Sequence, residues 1–194
     1  VNLAFIHIPK NAGNSVRQAL NLRNLAITEQ WNYPFVETGN VSFGHTPLKK
    51  ALELMADDFK RTSFKFAFSR NPFDRAVSMH AFLGKRDKPF EMTPESFLNF
   101  TEWLCASHET NLVTHAQTTW LEGGKLNYVG KVEAINECLQ AIADAVGLTI
   151  TEVPKANTGR HGPYQGYYCQ KAIDNIVKIY RCDFDKFGYN KKLQ

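Results

Sequence analysis

Leu3-Ala4-Phe5-Ile6-His7-Ile8-Pro9-Lys10-Asn11-Ala12-Gly13-Asn14-Ser15-Val16 is the stretch that decides the fold. Leu3 to Ile8 is a short, mostly apolar run with β-forming residues, the pattern of a strand buried on both faces in a parallel sheet. Pro9 ends it. Val16, Ala19 and Leu20 then recur at i, i+3 and i+4, which predicts a helix. Strand, tight loop and helix are complete by Leu22.

The alternation continues downstream. Val41-Ser42-Phe43 predicts a brief strand that stops at Gly44-His45, and Thr46-Pro47 has N-cap and N1 chemistry for a helix through Leu48, Ala51, Leu52 and Met55. Phe64 to Phe68 alternates as a strand does. Asn71 and Pro72 then cap and open a helix through Phe73, Ala76, Val77 and Phe82. Thr93-Pro94-Glu95 starts another helix with Phe97, Phe100 and Leu104 on one face. Asn127 to Val132 predicts a strand, and Asn136 a cap for a helix stopped by Gly147. Pro154 to Gly166 reads as a loop, and Ile173, Ile176, Val177 and Tyr180 as a last helix. Strands alternating with helices define an α/β fold with a central parallel sheet.

The 194 residues fit a single domain, 1–194, and leave little room for two. With 43% hydrophobic and 22% charged residues, collagen-like, low-complexity and disordered classes are excluded. Apolar runs such as Leu3–Ile6 and Leu20–Ile27 fall far short of the roughly 20 residues a membrane span needs, so no stable membrane insertion is expected. A net charge of +4 is too small to name a nucleic-acid partner and also suits an anionic small molecule. The four cysteines lack C-x-x-C spacing and read as free thiols of a reducing compartment. A cytoplasmic location is expected, the alternative being a trimmed lumenal domain.

Three places carry chemistry. Pro9 to Ser15 joins a buried strand to a helix, so backbone N–H groups converge where an anion, usually a phosphate, binds. Gly13 permits close backbone approach, Ser15 adds a hydroxyl and Lys10 a full charge; the competing reading is an ordinary turn with a solvated lysine. Around Phe68-Ser69-Arg70-Asn71-Pro72-Phe73-Asp74-Arg75, Arg70 ends a strand and Ser78 lies two turns into the next helix, so the two can flank one anion. Arg75 ranks lower, because it has Asp74 or the surface as alternatives. His45, at the end of a strand and before a helix, is placed for acid–base work. No H-x-x-x-H or H-E-x-x-H pair exists among the six histidines, and no metal site is expected.

The two anion loops together resemble those of the sulfotransferases that use 3′-phosphoadenylyl sulfate (PAPS), in the branch of Golgi carbohydrate sulfotransferases and their bacterial relatives. Phe5 to Ser15 is similar to that family's loop for the 5′-phosphosulfate, with Asn11 and Asn14 where threonines are usual. Phe68 to Ser78 is similar to its 3′-phosphate motif, and Ile179 to Tyr189 to its closing helix. Val129 to Glu133 and Asn157 to Tyr164 are weaker matches.

The resemblance implies a three-layer sandwich related to the P-loop nucleotide kinases. It implies that Lys10 and the N–H groups of Asn11, Ala12, Gly13, Asn14, Ser15 and Val16 hold the 5′-phosphosulfate. Arg70 and Ser78 would hold the 3′-phosphate, and the loop with Asn157, Arg160 and Tyr164 would fold over the nucleotide. His45 matches the place of a catalytic histidine, with Asp74, Glu133 or water as alternatives. The implied reaction moves a sulfuryl group to an acceptor hydroxyl, on a carbohydrate, leaving adenosine 3′,5′-bisphosphate (PAP) and needing no metal. The rivals are a small-molecule P-loop kinase and a non-catalytic nucleotide-binding domain. Trp31–Phe35 and Phe82–Phe90 read either as acceptor-pocket segments or as ordinary packing.

Overall fold

A computed structural model describes residues 1–26, 36–84, 91–150 and 162–194. Among the described residues five strands are formed: β1 (Leu3–His7), β2 (Arg23–Ala26), β3 (Val41–Gly44), β4 (Phe64–Ser69) and β5 (Tyr128–Lys131). The helices are α1 (Gly13–Ala19), α2 (Leu48–Glu53), α3 (Asp57–Thr62), α4 (Pro72–Leu83), α5 (Pro94–Ser107), α6 (Gln117–Trp120), α7 (Ile135–Val146), α8 (Gln170–Ile179) and α9 (Arg181–Phe187). The chain forms two compact units, one of Val1–Ser69 with Thr119–Asn157, the other of Arg70–Thr118 with Thr158–Gln194.

The first unit holds the sheet, in the order β2-β3-β1-β4-β5 with every neighbouring pair parallel. Phe5 is in register with Ser42 and with Phe66, so Phe5, Phe66 and Phe68 share one face. Leu3 and these three rings pack on Val16 and Leu20 at α1 and on Cys138, Leu139 and Ile142 of α7. The other face carries Ala4, Ile6, Val41, Phe43 and Ala67, all 0% exposed. Both faces are therefore covered, which is why these strands read as near-continuous apolar runs. The fold is α/β with a central parallel sheet flanked by helices.

From β1 the chain turns toward β2 and β3, and from β4 toward β5, so the connections diverge at the carboxyl ends of β1 and β4. Open α/β sheets bind ligands at such a point.

The second unit is helical. Phe73, Val77 and Met79 of α4, Phe97, Phe100 and Leu104 of α5, and Ala172, Ile176 and Phe184 of α8 and α9 form its core. Phe73 meets Phe184 edge-on at 5.0 Å and Phe97 meets Tyr168 at 4.7 Å; such pairs add about 0.5–1.5 kcal/mol beyond area burial. The Asn71 side-chain oxygen Oδ1 caps α4 by accepting from the Phe73 N–H at 3.0 Å, and Thr93 forms a reciprocal capping box with Ser96.

Several elements depart from expectation. Thr46 does not cap α2: its hydroxyl donates to the Gly44 carbonyl at 3.3 Å and Pro47 stands at the cap position. Met55 lies beyond α2, in a bridge to Val36. Asn136 is inside α7, which is entered from a one-turn helix at Val132–Ala134. Within the expected loop Pro154–Gly166, Tyr164 opens a one-turn helix ending at Tyr167.

Candidate active site

Lys10 (φ 68°) and Ala12 (φ 56°) both adopt left-handed backbone on either side of Asn11, and His45 does so at the end of β3 (φ 55°). Each such non-glycine residue costs about 1–3 kcal/mol, and such strain clusters at functional sites. Left-handed residues within a turn are the backbone conformation from which anion-binding concavities are built. The Asn11 N–H donates to Ile8 O at 3.3 Å and the Val16 N–H to Ala12 O at 3.1 Å. Two of the expected six donors thus also serve the turn and the first bond of α1. The Val16 side chain belongs to the core.

Asn11 has a function its residue type did not disclose. Its Nδ2 donates to the Phe68 carbonyl at 2.6 Å, a buried bond that ties the β1 loop to the end of β4. Gly13 is explained by His7: a β-carbon there would lie 1.8 Å from His7 Nε2. The His7 ring stacks on Phe5 at 5.5 Å and meets the His45 ring at 5.1 Å. His7, His45, Lys10 and the loop thus share one edge of the first unit. Spacing alone did not reveal His7, because as an alternating residue of a buried strand it has no signature of its own.

Electrostatics sets the protonation of this cluster. Burial, helped by His45 and by the charges of Arg17 and Lys10, brings the His7 pKa down to about 3. His45 is also lowered, by desolvation first and by the Lys10 ammonium second. Its imidazole is therefore neutral near pH 7, the form that accepts a proton.

The second unit holds Arg70. Asp74 accepts from its Nε at 2.8 Å, which fixes the guanidinium along α4. Ser78 follows Asp74 by four residues and shares that helix face. Tyr164 is half-buried, and its hydroxyl accepts from Asn71 Nδ2 at 3.5 Å, placing it beside the Arg70–Asn71 turn. Asn157, Arg160 and Trp31–Phe35 lie outside the described residues, as does 85–90 of the segment Phe82–Phe90.

Two positioning residues escaped the sequence reading. The Arg70 N–H donates to Gln117 Oε1 at 2.9 Å, and Gln117 Nε2 donates back to Arg70 O at 2.9 Å. Asp183, 0% exposed, in turn accepts from the N–H groups of Gln117 and Thr118 at 2.8 Å each. A chain of Asp183, Gln117 and Arg70 thus locks the arginine backbone, and no local pattern links residues so far apart in sequence. Arg75 points into the core rather than to the surface. It is 1% exposed, donates to His115 O and Val113 O at 3.0 Å, and lies 5.8 Å from the Tyr180 ring centre.

Among the described residues no cluster of three or more His, Cys, Asp or Glu is arranged to hold a metal ion, and no helix is long and apolar enough to cross a membrane. All four cysteines are free; Cys138 is buried and the other three are exposed.

Comparison with known proteins identifies the class. The family model described as the sulfotransferase family matches residues 1–190, and the chain belongs to that family. Mouse sulfotransferase SULT7A1, solved complexed with PAP, is similar in fold, with a TM-score of 0.54 and 12% identity over 97% of this chain and 89% of that one. Comparison with curated protein sequences gave no significant match.

Proposed function

We propose that the chain, acting as one domain over 1–194, transfers a sulfuryl group from PAPS to a hydroxyl of a carbohydrate acceptor. The observation that carries this reading is the shared edge of Lys10, His7 and His45 at the ends of β1 and β3, with the Lys10 charge reaching both imidazoles. Family membership over residues 1–190 supports treating both units as parts of one enzyme.

Lys10 and the N–H groups of Asn11 to Val16 hold the 5′-phosphosulfate, and Arg70 and Ser78, with Tyr164 beside them, hold the 3′-phosphate. The acceptor hydroxyl loses its proton to His45 as its oxygen bonds to sulfur. The bond from sulfur to the bridging oxygen breaks, and that electron pair leaves on the 5′-phosphate. Sulfuryl transfer, like phosphoryl transfer, runs through a loose transition state, so positioning and charge stabilisation dominate. Lys10 offsets the charge that grows on the leaving oxygen. Asp74 is engaged with Arg70 at 2.8 Å, which favours His45 over it as the base.

The test is a screen of poly- and oligosaccharide acceptors with sulfur-labelled PAPS, followed by location of the modified atom. Label on a sugar hydroxyl supports the reading. Transfer of a phosphoryl group from ATP, or of nothing to any acceptor, contradicts it.

A further inference from the structure

Arg17 is the only basic residue of α1 and follows Gly13 by four positions, on the same helix face. Long helical side chains lean toward the amino-terminal turn, which carries the Arg17 guanidinium back toward Gly13 and the imidazole lying over it. The Arg17 charge is indeed felt at His7, alongside that of Lys10. Two cations from different elements therefore help to keep this one ring neutral. Arg17 Nε is buried and has no hydrogen-bond partner among the described residues. A buried donor left in this way calls for an explanation, and a catalytic role is one of those such groups have.

The position of His7 says which part of a ligand Arg17 meets. His7 touches Gly13 of the donor loop on one side and His45 on the other. In an in-line displacement the group in flight lies between the leaving oxygen, at the loop, and the acceptor oxygen, at the base. A cation beside His7 faces that middle group, and the planar fork of a guanidinium matches sulfonate oxygens as it does phosphate oxygens. We propose that Arg17 is a further catalytic residue, donating to the oxygens of the transferring sulfuryl group rather than to the 5′-phosphate. It moves no proton; it holds charge while the acceptor oxygen–sulfur bond forms and the bridging bond breaks. The inference rests on the sulfuryl-transfer reading above.

The test compares PAPS with PAP, which lacks the sulfuryl group, by calorimetry in the absence of acceptor. In Arg17→Gln, affinity for PAPS is expected to fall at least tenfold while affinity for PAP stays within threefold, which also reports an intact fold. With a working acceptor, kcat is expected to fall about 10²–10³-fold, the usual loss for one such donor. Arg17→Lys keeps the charge without the fork and is expected to lie between the two. Equal weakening of both nucleotides assigns Arg17 to the phosphate and overturns the proposal, as does unchanged PAPS affinity. Wild-type protein that binds neither nucleotide overturns the underlying reading and this inference with it.

Discussion

The His7 imidazole occupies the space that a side chain on Gly13 would need, with Nε2 1.8 Å from the β-carbon position. The glycine and the histidine are thus one structural unit, which brings β1, the loop that follows it and His45 together. Gly13→Ala is expected to destabilise the protein by about 1–3 kcal/mol, the usual cost of overpacking, and to weaken PAP binding. Gly13→Ala with His7→Ala together is expected to recover stability relative to Gly13→Ala alone. A double-mutant cycle on melting free energies checks this; additive losses would show that the two residues do not compete for space.

His45→Ala is expected to lower kcat by about 10²–10⁴, the contribution typical of a general base, while PAP affinity stays unchanged. Because desolvation and Lys10 hold the His45 pKa below 6.5, the acid limb of the wild-type kcat/KM profile, which reports the free enzyme, is expected below pH 6.5. Lys10→Met removes one of the two causes, so an NMR titration of His45 in that variant should show a higher pKa. A lower or unmoved value would separate Lys10 from His45.

Arg70 and Arg75, five residues apart, are expected to fail in opposite ways. Arg75→Ala strips two carbonyls of their donors and opens a cavity in the core, costing about 3 kcal/mol or more. Arg70→Ala is expected to leave the melting temperature nearly unchanged and to weaken PAP. Denaturant melts with nucleotide titrations distinguish the two, and the reverse pattern would refute the assignment.

The parallel sheet, the loop at Lys10 and the cap at Asn71 were legible because each rests on a local pattern: an apolar run, a strand-to-helix turn, an Asn-Pro pair. β2 was missed because Arg23-Asn24-Leu25-Ala26 is an edge strand with one partner and needs no apolar run. α3 was missed because, of its six residues, only Phe59 is buried. Gln117 and Asp183 act on Arg70 from far along the chain, through bonds that no spacing encodes. Arg75 sat in a readable motif, yet its burial depends on carbonyls supplied by the segment Val113–His115.

Acid should expose the buried histidines. His80 is 4% exposed, stacks on Phe100 at 4.9 Å, and its pKa is lowered to about 4 by burial. Between about pH 4 and 6.5 the unfolded chain binds a proton at this site that the native chain does not, so stability rises with pH across that window and falls on acidification. The limiting slope is about 1.4 kcal/mol per pH unit for each such histidine. His80→Phe is expected to flatten the fall between pH 6.5 and 4 in urea melts. An unchanged slope would show that His80 takes up its proton in the native state.

The most direct measurement is calorimetric titration of the wild-type chain and Arg70→Ala with PAP and with adenosine 5′-monophosphate, which lacks the 3′-phosphate. A charge-assisted contact to that phosphate predicts PAP tighter by about 10–100-fold, with the preference lost in Arg70→Ala. Equal affinity of the wild type for the two nucleotides, or a preference that survives the substitution, would contradict the account.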